Sequence, residues 1–256
     1  MDLIQILILA IIQGITEWLP ISSSGHLVIV QQYLGLKEVP LIFDVTLHVG
    51  TLCVVVIAFR NDIIEIAKAL YKRDFESEEG RLALYIALGS IPTALIGFLF
   101  HNFFQLLFTS TLAVGAALII TGFILYSSKL RKDGKALNYL DSLLIGIAQG
   151  VAIAPGISRS GITLSTGFLR KVKKEVVFRY SFLLSIPAVI GATVMESRDL
   201  VASELDVVAL LFGVIVSMMV GYVSLKLLLK TVLKGKFHLF AYYCWIAGLI
   251  IIIFQF

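Results

Sequence analysis

Residues 13–27 read QGITEWLPISSSGHL, and this stretch decides the fold. It lies inside an otherwise apolar segment, residues 3–36, that Pro20, Ser22, Ser23, Ser24 and Gly25 interrupt in the middle. A membrane-spanning helix needs about 20 consecutive, largely apolar residues. Irregular backbone at membrane depth persists only where protein or a wet cavity satisfies its polar groups. The spacing therefore predicts a re-entrant hairpin of two half-helices. A second broken segment, residues 138–170, is interrupted by Pro155, Gly156, Ser158, Ser160 and Gly161 and reads the same way.

The two breaks resemble each other. A shift of 136 residues aligns Gln13-Gly14 with Gln149-Gly150, Ile21-Ser22 with Ile157-Ser158, and Ser24-Gly25 with Ser160-Gly161. Between and after them six stretches are long and apolar enough to span: roughly 41–59, 83–101, 110–128, 176–195, 207–226 and 238–255. Each half is then one hairpin plus three spans, and an odd number of spans puts the halves in opposite orientations. The expected fold is an all-α polytopic membrane protein with an inverted repeat, each half a re-entrant half-helix hairpin plus three transmembrane helices. It forms a single membrane domain over 1–256, with halves of about 1–128 and 136–256. That plan places a site near the midplane, between broken helices.

Composition excludes the alternatives. Of the 256 residues 59% are hydrophobic and 15% charged, with a mean hydropathy of +0.96; a soluble chain is roughly 45–50% apolar and about 25% charged. Disorder, a coiled coil and a disulfide scaffold fail on the same numbers. Cys53 and Cys244 lie in apolar stretches and read as small hydrophobes. Residues 3–12 lack a basic leader and a cleavage site, so they are expected to stay in the mature chain.

The net charge of +4 has a topological source rather than a nucleic-acid one. Eighteen of the 21 Lys and Arg residues fall in loops around 60–81, 129–135, 170–179 and 226–236, all on one side in this topology. That side is cytoplasmic by the positive-inside rule, which puts both termini outside. Lys37, Arg198 and the acidic 196–206 loop, with Glu196, Asp199, Glu204 and Asp206, fall on the external side. Tyr71, Tyr126, Tyr242 and Tyr243 are placed near the cytoplasmic interface, and the charged run from Lys68 to Arg81 in a solvated loop.

Ionisable residues at membrane depth default to functional candidates. Here they are Glu17, His26, Asp44, His48 and Arg159, three of them in or beside the breaks. Gln13 and Glu17 share a helix face. Two half-helix N-termini with their serines, and the Arg159 guanidinium, make an anion site suited to phosphate. Glu17 would repel that anion unless a divalent cation bridged them. Glu17, His26 and Ser23 then supply a metal anchor or base, a proton-transfer group and a hydroxyl nucleophile.

Blander readings stand beside these. Ser22, Ser23 and Ser158 read equally well as N-caps. Asp44 and His48 read as a structural pair, and His101 and His238 as interfacial. Gly213, Ser217 and Gly221 form a packing ridge. Glu17 with Arg159 reads alternatively as a strut between the hairpins. A carrier for lipid phosphate or phosphate uses the same architecture.

QGITEWLPISSSGHL and PGISRSGIT, residues 155–163, resemble the two signature regions of the integral-membrane undecaprenyl-diphosphate phosphatases of the bacitracin-resistance type. The resemblance implies hydrolysis of a polyprenyl diphosphate lipid to the monophosphate, recycling a carrier for cell-wall glycan. It also implies a divalent cation, Mg²⁺ or Ca²⁺, and a site opening to the external face of the cell membrane. By position it assigns catalytic roles to Glu17, Ser23, His26 and Arg159, with Glu17 on the metal. It leaves the nucleophile open between Ser23, with His26 as its proton partner, which is the reading expected here, and a water activated directly by His26. Gln13, Ser22, Ser24, Gly25, Gly156, Ser158, Ser160, Gly161 and Thr163 are the expected substrate-binding residues. The bilayer and the lipid are the expected partners, with homodimerisation left open.

Overall fold

In a computed structural model, residues 1–36, 41–130, 134–196 and 207–254 are described. Twelve α-helices account for most of them: α1 Leu3–Trp18, α2 Ser23–Tyr33, α3 Leu41–Ala58, α4 Arg60–Tyr71, α5 Glu78–Leu99 and α6 His101–Phe108, then α7 Thr111–Ser127, α8 Tyr139–Val151, α9 Arg159–Leu169, α10 Lys174–Glu196, α11 Val207–Leu233 and α12 Phe240–Phe254. Lys37, Arg131, Lys132, Arg198 and the acidic loop after Glu196, with Asp199, Glu204 and Asp206, lie outside the described residues.

The protein is an all-α polytopic membrane protein. Among the described residues four segments are by themselves long and apolar enough to cross a bilayer: Glu78–Leu99, Lys174–Met195, Val207–Leu233 and Phe237–Phe254. Their outward faces carry exposed Phe98, Leu99, Val194, Val208, Leu211, Ile246 and Ile253. In water such a surface would aggregate; lipid satisfies it.

The expected spans at 41–59 and 110–128 form as α3 and α7, each bent sharply against a neighbouring helix, by 74° between α3 and α4 and by 104° between α6 and α7. Arg60, Asn61 and Asp62 follow α3 at once, and charge cannot continue into hydrocarbon, so the chain turns. It continues as α4, which makes a helix of the first residues of the expected Lys68–Arg81 loop, Lys68–Tyr71. At the other bend Ser110 caps α7, accepting from the Ala113 N–H at 3.2 Å.

Both broken segments form helix pairs at the expected places, α1/α2 around residues 19–22 and α8/α9 around 152–158. The packing is reciprocal between the two parts of the chain. The first hairpin's α1 lies along α11, the second hairpin's α8 lies along α5, α7 pairs with α12, and α3 meets α10. Close approach needs glycine at the α5–α8 crossing. A Cβ on Gly146 would come within 2.6 Å of Gly89 Cα, the small-residue contact that membrane helices use in place of a hydrophobic driving force.

The main core cluster joins Trp18 and Leu19 to Phe178, Phe182 and Leu184 of α10, and to Leu225 and Leu228 of α11. At the end predicted cytoplasmic, fully buried Asp141 is held by Lys135 Nζ at 2.6 Å and Arg170 Nε at 2.8 Å. This clamp closes the second hairpin, since Lys135 precedes α8 and Arg170 follows α9.

Candidate functional site

The site begins with the two breaks, which touch. Pro20 cannot continue α1, and the chain turns through Leu19–Ser22. Ser22 takes the strained φ of +69° and caps α2, its Oγ accepting from the Gly25 N–H at 3.4 Å. Ser158 caps α9 in the same way, accepting from Gly161 N–H at 3.1 Å. The N-cap reading of Ser22 and Ser158 is therefore what their hydroxyls do. Gly156 lies at φ +90°, where a side chain is strained, and its N–H donates to Ser22 Oγ at 3.0 Å. Its carbonyl accepts from Thr121 Oγ1 at 2.9 Å, and the same hydroxyl accepts from Ser158 N–H at 3.2 Å. A Cβ on Gly25 would stand 3.1 Å from Gly156 Cα. The N-terminal ends of α2 and α9 thus start side by side, and their dipoles favour an anion at this place.

Glu17 is the hub. Its side chain is 5% exposed, and one oxygen, Oε1, takes Arg159 Nη2 in an ion pair. The other, Oε2, accepts from Ser23 Oγ at 2.7 Å and Gln13 Nε2 at 3.1 Å. His48 Nδ1 stands 3.3 Å from the same oxygen and 2.9 Å from Gln13 Nε2. Arg159 also lies over the Trp18 ring, 5.3 Å from its centroid, which keeps the guanidinium plane in place. Four elements, α1, α2, α3 and α9, each deliver one or more of these groups.

His26 does not meet Ser23 as expected. Its Nδ1 lies 2.7 Å from the Ser22 carbonyl oxygen and its Nε2 2.7 Å from Tyr243 Oη. A carbonyl only accepts, so Nδ1 carries the proton in this contact. Both ring nitrogens are engaged there, and the Ser23 hydroxyl donates to Glu17 Oε2 instead.

Other expected site residues lie further from the hub. Ser24 and Ser160 pair with their neighbours Ser22 and Ser158, at 3.4 and 3.3 Å between hydroxyls. Thr163 is fully buried, and its hydroxyl joins the Arg159 carbonyl and Ser181 Oγ. It supports α9 from behind.

For a cation, the chemistry of the donors is suitable but sparse. Glu17 offers carboxylate oxygen, and the fully buried Gln13 Oε1 has no hydrogen-bond partner among the described residues. Among the described residues no cluster of three or more His, Cys, Asp or Glu could hold a metal by itself. Mg²⁺ commonly binds through one or two protein oxygens with phosphate and water completing its shell, so the residues fit an ion brought together with a phosphate ligand.

Against known proteins, the family model described as bacitracin resistance protein BacA matches residues 6–250. The chain belongs to the BacA family. A protein from Carboxydothermus hydrogenoformans named undecaprenyl-diphosphatase is 42% identical over 100% of this chain and 98% of its own length. The protein of the same name from Halothermothrix orenii is 44% identical over 99% of this chain and 98% of its own length. A third, from Korarchaeum cryptofilum, is 42% identical over 98% and 99%.

To the residues of the two breaks the structure adds two from elsewhere in the chain, His48 and Tyr243. Helical spacing predicts a pair of His48 with Asp44, four residues away; in the structure Asp44 accepts from Gln31 Nε2 at 2.9 and 3.1 Å, and His48 faces Gln13 and Glu17. Tyr243, expected in the cytoplasmic aromatic belt, reaches His26. For His48 the signal was there, a polar group at membrane depth; for Tyr243 only the tertiary contact reveals it.

Proposed function

We infer that the chain hydrolyses undecaprenyl diphosphate to undecaprenyl phosphate and inorganic phosphate, as the names of its full-length relatives indicate for them. The observation that carries the site assignment is the single carboxylate, Glu17, joining a hydroxyl nucleophile to a guanidinium across the two breaks. A transport reading has no comparable support, since a carrier does not need a hydroxyl donating to a carboxylate.

The chemistry follows from the geometry. Ser23 Oγ attacks the terminal phosphorus while its proton passes to Glu17 Oε2, and the bond from that phosphorus to the bridging oxygen breaks. Undecaprenyl phosphate departs; water then attacks the phosphoserine phosphorus and gives its proton to His26 Nε2, while the bond to Ser23 Oγ breaks, Oγ takes back the proton held by Glu17, and phosphate is released. Arg159, leaving Glu17 for the phosphoryl oxygens, and the N-termini of α2 and α9 stabilise the charge that develops. Glu17 and Gln13 Oε1 would hold a divalent cation, whose chemistry there would be Lewis-acid stabilisation of the phosphoryl group. Gln13 and His48 orient the Glu17 carboxylate from the side away from Arg159.

The lipid tail stays in the bilayer while the headgroup enters laterally between helices. We read the chain as two inverted halves in the cell membrane with termini and site opening outward, a reading supported by the distribution of basic residues.

The test is phosphate release from undecaprenyl diphosphate by detergent-purified protein, with Mg²⁺ or Ca²⁺ and then EDTA, beside Glu17→Ala and Arg159→Ala. Metal-dependent release lost in both variants is expected. Normal turnover in Arg159→Ala would overturn the site assignment.

A further inference from the structure

We propose that Tyr243 is a positioning residue of the phosphatase site, holding His26 in one tautomer and one orientation. The inference rests on the reading of His26 as a member of that site. Tyr243 lies on α12, 217 residues from His26 in sequence, and its hydroxyl stands 2.7 Å from Nε2. The two rings are stacked, 5.7 Å between centroids and 15° between planes.

The contact is built rather than incidental. The next residue, buried Cys244, places Sγ 3.6 Å from the Pro20 carbonyl oxygen, so α12 is docked against the first break itself. Val28 and Ile29, on the turn of α2 after His26, pack with Val114 and Leu118 of α7 and Ile251 of α12. These contacts set the height of α12 relative to α2, and therefore of the phenol relative to the imidazole.

The hydrogen-bond chain has a direction. The Ser22 carbonyl can only accept, so Nδ1 donates to it, and Nε2 of the neutral ring is an acceptor. Tyr243 Oη–H donates to that nitrogen. The ring is thereby fixed at both ends, one by the N-cap residue of α2 and the other by α12. His26 follows Ser23 by three residues on the same helix and so shares its face. The phenol holds Nε2 in place until substrate arrives; a ligand oxygen or water that displaces it there can then exchange a proton with this atom. No other group in this chain is given that task by the sequence motifs, all of which lie in the two breaks.

Tyr243→Phe removes the hydroxyl and keeps the ring stack. We expect kcat for phosphate release to fall about tenfold with KM unchanged within about twofold, the scale of one lost orienting hydrogen bond. In a His26→Asn background the same substitution is expected to have no further effect, because the group it orients is gone. Imidazole ¹⁵N shifts of His26 should report the Nδ1–H tautomer in the natural protein and a mixture in Tyr243→Phe. Unchanged kcat in Tyr243→Phe, an undiminished effect in the His26→Asn background, or unaltered ¹⁵N shifts would each overturn the inference. An effect confined to KM would also overturn it, in favour of substrate contact. Normal turnover in His26→Asn alone would remove the site reading beneath it, an outcome distinct from the others.

Discussion

Ser23 and Arg159 stand 136 residues apart at equivalent positions of the two hairpins, and they bind opposite oxygens of one carboxylate. Ser23 donates to Glu17 Oε2 at 2.7 Å, and Arg159 Nη2 pairs with Oε1. Each is the first residue of its half-helix, following a serine N-cap. The same backbone device thus presents a hydroxyl from one break and a guanidinium from the other, the groups proposed as nucleophile and phosphate-binding cation.

Arg159→Ala should lower kcat/KM by about 10²–10³-fold, the range for loss of one preorganised charge-stabilising donor. Arg159→Lys should recover little of it, because a lysine cannot reproduce the bidentate fork or the stacking on Trp18. Steady-state phosphate release checks both, and full recovery in the lysine variant would show that point charge alone suffices.

His48→Ala should reduce kcat about tenfold through loss of an orienting contact on Glu17 Oε2. The fold should survive, since the ring lies at the edge of the site with its side chain 31% exposed. Turnover equal to the natural protein would return His48 to a purely structural role.

Gln13→Leu removes the buried, unpartnered Oε1 proposed as a cation ligand. The Mg²⁺ concentration for half-maximal activity, titrated after EDTA treatment, should rise about tenfold or more, as loss of an oxygen ligand weakens binding. An unaltered requirement would leave Glu17 as the sole protein ligand.

Asp141→Ala should destabilise the protein without touching the chemistry. Both cations that face this carboxylate are over a third exposed, Lys135 at 38% and Arg170 at 37%. Solvent screening lowers the expected cost from the scale of a fully buried pair to about 1–2 kcal/mol. The readout is thermal unfolding in detergent beside kcat per folded molecule; a fall in the latter would link the clamp to the site.

Gly146→Leu should prevent correct assembly, because even a Cβ there would come within 2.2 Å of the Gly89 carbonyl oxygen. Backbone cannot yield as a flexible side chain does, so the α5–α8 crossing would open. Monodisperse elution with normal activity would refute this.

Much of the protein was written locally. Apolar length with internal Pro, Gly and Ser determined that the chain is helical, membrane-bound and twice broken, because lipid forbids unsatisfied backbone and tolerates it only where protein covers it. The 136-residue offset placed Ser22 beside Ser158 in kind, and hydrogen bonding to the next turn made both of them caps. Glu17, Ser23 and Arg159 stood out as polar groups in an apolar medium, which is a local property of sequence. Their mutual contacts were not local. Which hydroxyl meets Glu17, and that His26 turns to Ser22 and Tyr243, depends on the side-by-side start of two half-helices and on the height of α12 against Pro20. His48 shows the limit most directly. Helical periodicity offered Asp44 as a partner one turn away, while packing of α3 against α1 supplied Gln13 and Glu17. Periodicity constrains only neighbours within a helix; the choice among distant partners is made by how whole helices pack, and that is settled by side-chain volume and backbone approach across the tertiary structure.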